Sequence, residues 1–339
     1  MRVRYLARSL SLVAVVGLMF LATVPVHATS TRKVIVFLQG LGSYLTQAQL
    51  DTMSKCLVPV QVDPFNKLKG QLLNHGNYQC SDFLQFSYAG GSVDEQGRWQ
   101  AMPYDCIASS ANSLATNTNL LATMLNDYQN AHPDIQVRFE LVGHSLGGLI
   151  AFDTSALAGG TISADAIDSV VTIDSLLNHK LTADLQAQRQ ALPGYTLPHS
   201  APSCNSLVLA QAYNFTWSPA IIEVSDVTDD QVKQNYLDDR QAVVTAGQSY
   251  QIRYMTTGNS SDCAYDQDLC HAPGMWQDER YTMTVANADN VTMFDEGTNN
   301  CVAKLFIVPC FVNTHFAVLK DGQTAVPAIV SFIGGQVAP

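Results

Sequence analysis

Gln136-Val137-Arg138-Phe139-Glu140-Leu141-Val142-Gly143-His144-Ser145-Leu146-Gly147-Gly148-Leu149-Ile150-Ala151-Phe152 passes from one regular element to another across a glycine-flanked serine. Its first seven residues read as a buried strand, and Gly148 to Phe152 open a helix. Between them, Gly143-His144-Ser145-Leu146-Gly147 sets one serine on a sharp strand-to-helix turn with a glycine two residues to either side. A serine there is held in a strained backbone conformation, and a side chain at either flanking position would collide with the neighbouring strand or helix. The bare Gly-x-Ser-x-Gly pattern arises by chance in roughly one chain in ten of this length, so context must carry the case. The competing interpretation is a Gly-rich turn whose serine only caps the helix.

Three features outside the pentapeptide favour a reactive serine. The strand before it and the small first helical turn after it suit close packing. Upstream, Lys33-Val34-Ile35-Val36-Phe37-Leu38 is an apolar strand that ends in Gln39-Gly40-Leu41-Gly42. Downstream, His315 precedes a last helix-like segment, Ala325 to Ile333.

Met1 to Ala28 reads as a secretory leader, with Arg2, Arg4 and Arg8 before an apolar run and Val26-His27-Ala28 as a small-residue cleavage site. The expected location is therefore outside the cell, with one domain over 29–339. Of the 339 residues, 18 are basic and 29 acidic, a net charge of −11 that falls to −14 without the three leader arginines. That balance disfavours nucleic acid and anionic membranes as partners. With 47% hydrophobic and only 14% charged residues, the body can bury a large core. A monomer is expected.

Eight cysteines, all after the leader, suit disulfides in an oxidising compartment. The nearest-neighbour pairings are Cys263–Cys270 and Cys301–Cys310, and Cys56–Cys80 would pin the long loop after the first strand. The acids and His271 around Cys263 and Cys270 have neither CxxC nor EF-hand spacing, so no metal and no cofactor is expected.

Apolar strands alternate with helical stretches, the pattern of a mostly parallel sheet covered on both faces. Strands are expected at 34–38, 83–88, 136–142, 169–174 and 250–256, with one or two between 281 and 312. Apolar positions from Ile107 to Tyr128 predict one helix between Cys106 and Ala131. The segment from 175 to 247, with helix-like runs at 178–191 and 229–243, is too long for a simple crossover and reads as a cap-like excursion over the C-terminal edge of the sheet.

The stretch Phe139 to Gly148 resembles the nucleophile elbow of the α/β-hydrolase lipases and esterases, and Val36 to Gly42 is similar to their oxyanion-hole segment. Gln39-Gly40 replaces the usual His-Gly of that segment. The resemblance implies an α/β-hydrolase fold and a secreted serine carboxylic-ester hydrolase, a lipase acting on acylglycerols or similar lipid esters with transient lipid-interface contact. It also implies the chain order serine, acid, histidine. Ser145 is then the nucleophile and His315 the base. The orienting acid is Asp262, in the turn after the strand that follows the excursion, with Asp174 as its rival. The amides of Leu41 and Leu146 are the oxyanion donors. An acyltransferase would use the same parts, and a non-catalytic secreted binding protein would keep the fold alone.

Overall fold

Val34-Ile35-Val36-Phe37-Leu38 is fully buried at every position. A strand can be apolar on both faces only if both are covered. Val34, Val36 and Leu38 enter one core cluster, and Ile35 and Phe37 enter another on the opposite side of the sheet. The computed structural model describes residues 30–54, 56, 59, 62–75, 78–175, 219, 230–259, 290–294, 317–320 and 322–334.

The chain runs through β1 (Thr31–Leu38), α1 (Gln47–Met53), α2 (Asn66–His75), β2 (Phe83–Gln85), a hairpin of β3 (Gly91–Val93) and β4 (Trp99–Ala101), α3 (Cys106–Ala111) and α4 (Leu114–Asn130). It continues through β5 (Gln136–His144), α5 (Leu146–Thr154), β6 (Ile167–Ile173), α6 (Asp230–Tyr250), β7 (Arg253–Asn259), β8 (Asn290–Phe294), α7 (Ala317–Lys320) and α8 (Ala325–Gly334). The main sheet has the order β2-β1-β5-β6-β7-β8, and every pairing in it is parallel. Leu121, Leu125, Leu149, Phe152 and Val243 cover one face from α4, α5 and α6. Leu68, Leu72, Val318, Ile329 and Phe332 cover the other from α2, α7 and α8. This is the layered architecture expected from the sequence, a parallel central sheet flanked by helices on both faces.

Several boundaries differ from the sequence reading, each for a local reason. The helix expected across Cys106 to Ala131 is two helices. The chain is extended at Asn112, and the Ser113 hydroxyl accepts the Thr116 amide to start α4 afresh. The second strand stops at Gln85, three residues early. Phe86 still donates its amide to Phe37 O, and then the chain turns away to place Tyr88 and the unforeseen β3–β4 hairpin. Tyr250 was expected to open a strand and instead closes α6, which outruns its expected end at Val243. Gln251 at φ 56 breaks the helix, and the Ile252 amide returns to Gly247 O. Val243, Val244 and Ala246 of α6 are buried in the domain core.

Between β1 and β2 the chain forms α1 and α2 rather than a bare loop, and Cys56–Cys80 does pin this connection, with the two Cα atoms 5.4 Å apart. Cys106 is disulfide-bonded as well. The expected pairs Cys263–Cys270 and Cys301–Cys310, the run 178–191 and most of the proposed excursion lie outside the described residues.

One face of the sheet buries charge. Lys33 Nζ meets Glu140 Oε1 at 3.2 Å and Asp168 Oδ2 at 2.9 Å, while Arg138 and Arg253 reach Asp168 at 3.1 and 3.0 Å. Tyr78 donates its hydroxyl to Glu140 Oε2 at 2.8 Å. Asp168 is desolvated, yet Lys33, Arg253 and Arg138 hold its carboxyl below the ordinary range. Glu140 goes the other way. Burial outweighs the attraction of Lys33 and the Tyr78 hydrogen bond and pushes its carboxyl from 4.5 up to about 7.

A carboxyl raised by folding costs stability once it ionises. The cost is absent below the unfolded value of 4.5, grows as pH rises, and is complete above about 7. By linkage it is on the order of 3 kcal/mol. Glu140→Gln removes this titration, so its stability relative to the parent should improve between pH 5 and pH 8. Urea unfolding at the two pH values checks this. A gap that moves in the parent's favour contradicts it.

Candidate active site

The C-terminal ends of β1, β5, β6 and β7 meet at one edge of the sheet, where open α/β sheets place their ligand crevice. Ser145 stands there between β5 and α5, at φ 56 and ψ −127. A non-glycine residue in that conformation carries strain of about 1–3 kcal/mol and persists only where its surroundings over-determine it. They do so here. The Ser145 amide donates to Ile173 O at 2.8 Å, tying the turn to the end of β6, and Ser145 O accepts the Gly148 amide at 3.0 Å. Ser145 occupies the position of a helix cap, but its side chain makes no capping hydrogen bond. The structure therefore sets aside the interpretation of this serine as a simple cap.

Both glycines of the turn are required by contact. A Cβ on Gly143 would overlap the Gly147 carbonyl, and one on Gly147 would overlap the Leu38 carbonyl and lie 2.6 Å from Gln39 O. The end of β1 therefore packs directly on the first turn of α5. Gly40 approaches from the other side: a Cβ there would fall 2.6 Å from Ser145 Cβ and 3.1 Å from Ser145 Oγ. The Gln39-Gly40-Leu41 segment singled out in the sequence thus lies against the serine.

Leu146 is the first residue of α5, so its amide has no intrahelical acceptor. Among the described residues, the amides of Leu41 and Leu146 donate no hydrogen bond. Gly40 O accepts the Ser43 amide at 3.3 Å, which closes a turn with Gly42 at φ 71. Gln39 is buried, and its Nε2 has no hydrogen-bond partner among the described residues.

Asp174 lies one residue past Ile173, whose carbonyl holds the Ser145 amide. It is fully buried at φ 48 and donates its own amide to Thr257 O of β7 at 3.0 Å. Asp262 and His315 lie outside the described residues. His144, the last residue of β5, is buried. His132 follows α4 and packs its ring on Tyr128, with Nδ1 2.8 Å from Tyr128 O, a structural role next to the start of β5. Among the described residues, no group of His, Cys, Asp and Glu is arranged to hold a metal ion.

Sequence reading missed two groups at this edge, Tyr88 and Tyr104. Tyr88 donates its hydroxyl to Gln39 O at 2.7 Å, and the Tyr104 hydroxyl is 3.0 Å from Ser43 Oγ. Burial raises both phenols well above their ordinary value, so both remain neutral. Nothing in the local pattern marks them, because each bond closes across about fifty residues or more.

No protein-family model and no curated protein matches the chain. Among solved structures, the chain is similar to a phospholipase, PlaB, from Legionella pneumophila, at 10% identity and a TM-score of 0.39 over 68% of this chain. It spans 38% of that protein's length. An inhibited esterase B from Lactobacillus rhamnosis matches at 11% identity and a TM-score of 0.41, covering 91% of this chain and 82% of its own. A peroxisomal α/β-hydrolase, Lpx1, from Saccharomyces cerevisiae matches at 11% identity and a TM-score of 0.42, covering 91% and 77%. Likenesses of this degree carry no argument about chemistry, which rests on the geometry of the turn itself.

That geometry makes Gly143→Ala and Gly147→Ala costly, because the added methyl meets backbone that cannot move aside. Each should lower the melting temperature by about 5 °C or more. Gly334→Ala, which meets nothing within 4 Å, should change it by about 1 °C or less. Equal stability of Gly147→Ala and Gly334→Ala would show that the turn is not packed as described.

Proposed function

We propose that the protein is a secreted serine carboxylic-ester hydrolase that acts on lipid esters through an acyl-enzyme at Ser145. The observation that carries this reading is the strained Ser145 backbone, with the side chain not used as a cap and Gly40 pressed against it. Strain of this kind sets a serine hydroxyl on a sharp turn at the top of a parallel sheet.

In the proposed reaction, Ser145 Oγ attacks the ester carbonyl carbon while its proton passes to His315. The oxyanion is received by the Leu41 and Leu146 amides, and the positive end of the α5 dipole adds to them. His315 then gives the proton to the leaving alcohol as the carbon–oxygen bond breaks. A water molecule, deprotonated by the same histidine, frees the acid and restores the serine. A carboxylate must orient the histidine. Asp262 is the assignment from chain order. Asp174 is the second assignment, supported by its burial beside the strand end that holds the Ser145 amide.

The lipid preference draws on the low charge content and on two exposed side chains. Tyr44 (43% exposed) and Met102 (52%) are the exposed large hydrophobics among the described residues. Both flank the Leu45–Tyr104 bridge that follows the Gly40–Ser43 turn. Apolar groups beside an ester-cleaving site would suit an acyl chain.

The test is hydrolysis of p-nitrophenyl esters of several chain lengths, with fluorophosphonate labelling. Ser145→Ala should abolish both turnover and labelling. Whichever of Asp262→Asn and Asp174→Asn removes the true acid should lower kcat by about 10³-fold or more. Full turnover in Ser145→Ala would end this reading, whereas a silent Asp262→Asn beside a dead Asp174→Asn would move only the acid.

A further inference from the structure

The turn that carries Leu41 is held at both ends by buried phenols that the proposed chemistry does not otherwise use. At its start, Gln39 O lies past the last β1–β5 pair and accepts the Tyr88 hydroxyl at 2.7 Å. Among the described residues no other group donates to it. At its end, Ser43 Oγ is 3.0 Å from the Tyr104 hydroxyl, Ser43 O accepts Ser109 Oγ at 3.0 Å, and Leu45 and Tyr104 exchange backbone bonds at 2.9 Å. The two rings meet edge-on at 5.3 Å, and Phe86 closes on Tyr88 at 5.2 Å. Asn112 Nδ2 donates to Tyr88 O at 3.2 Å and so fixes the backbone that carries the phenol.

We propose that Tyr88 is a positioning residue for the oxyanion turn: its hydroxyl fixes the Gln39–Gly40 peptide and, through it, the Leu41 amide. This inference rests on the reading of Ser145 as the nucleophile. The physical link is short. Gly40 packs on Ser145 Cβ with no room for a methyl group, so a swing of the Gln39–Gly40 peptide moves the turn relative to the serine. The next peptide is trans, and its carbonyl, Gly40 O, is engaged by the Ser43 amide. The Leu41 N–H therefore points the opposite way, out of the turn. An oxyanion donor must be placed within about 2.7–3.1 Å of the developing charge, and losing one costs about 10²–10³ in kcat. A donor left in place but no longer held should cost part of that.

The test compares Tyr88→Phe, which removes one hydroxyl and keeps the ring, with Tyr254→Phe. The control removes another buried hydroxyl, 3.0 Å from Ser155 Oγ at the C-terminal end of α5. On a p-nitrophenyl ester, Tyr88→Phe should lower kcat about tenfold or more with KM within about twofold, and should slow fluorophosphonate labelling by a similar factor. Tyr254→Phe should keep kcat within about twofold even where it melts earlier. Tyr104→Phe, which frees the other end of the turn, should move kcat in the same direction by less, and it serves where Tyr88→Phe does not fold.

Amide hydrogen exchange gives a readout that needs no turnover: in Tyr88→Phe, the 39–44 segment should exchange about tenfold faster while α5 is unchanged. Unchanged exchange there, or a kcat loss no larger than that of Tyr254→Phe, overturns the proposal. A parent protein that is neither active nor labelled instead overturns the acyl-transfer reading, and the exchange result still judges the tyrosine.

Discussion

The structure depends on one steric constraint: the backbone of Ser145 is held at a positive φ where three glycines have no room for side chains. Gly143 and Gly147 let the turn close on itself and on the end of β1, and Gly40 lets the neighbouring loop reach the serine. Strain of this size needs a rigid frame, because a mobile loop would relax it. The frame is the parallel sheet. The Ser145 amide is tied to β6, the Asp174 amide to β7, and the end of β1 lies under the first turn of α5. The strands are buried on both faces, so none of these ends can shift without opening a core.

The two polar regions of the domain use different chemistry. On the β1 side of the elbow, the groups near Ser145 are backbone amides, the Gln39 side-chain amide and two phenols that burial keeps neutral, while the buried Asp174 lies on the β6 side. Such groups can face a developing negative charge without titrating. Beneath them, on the face covered by α2 and α8, Lys33, Arg138, Arg253 and Tyr78, all partly exposed, surround the buried carboxyls of Asp168 and Glu140 in an ionic network. It links β1, β5, β6 and β7 through side chains where the elbow links them through the main chain. Its net worth depends on pH, because desolvation of Glu140 opposes the pairing that surrounds it.

What was legible in the sequence was local. A run such as Val34 to Leu38 announces a strand buried on both faces, and Gly143 to Gly147 announces the turn, because sterics act over a few residues. The Cys56–Cys80 bridge was legible from its position around the first crossover. The break in the helix at Asn112 is written in Ser113, but an apolar period runs through it and masks the signal. The pairings of Tyr88 with Gln39, Tyr104 with Ser43, and Lys33 with Asp168 were not legible. They follow from strand order and register, which bring together residues that no local pattern connects. Of the site itself, the glycine spacing marked Ser145, and the resemblance to α/β-hydrolase lipases and esterases implied Leu41 and Leu146 as oxyanion donors. His315 and Asp262 were assigned from chain order alone.

The proposed chemistry requires the elbow to present Ser145 to an ester, with the Leu41 and Leu146 amides turned toward the oxyanion. A crystal structure of the protein after reaction with an alkyl phosphonate tests it most directly. Phosphorus should be bonded to Ser145 Oγ, with one phosphonyl oxygen within about 2.7–3.1 Å of the amides of both Leu41 and Leu146. A phosphonate on another residue, or one on Ser145 with its oxygen turned away from both amides, would contradict it.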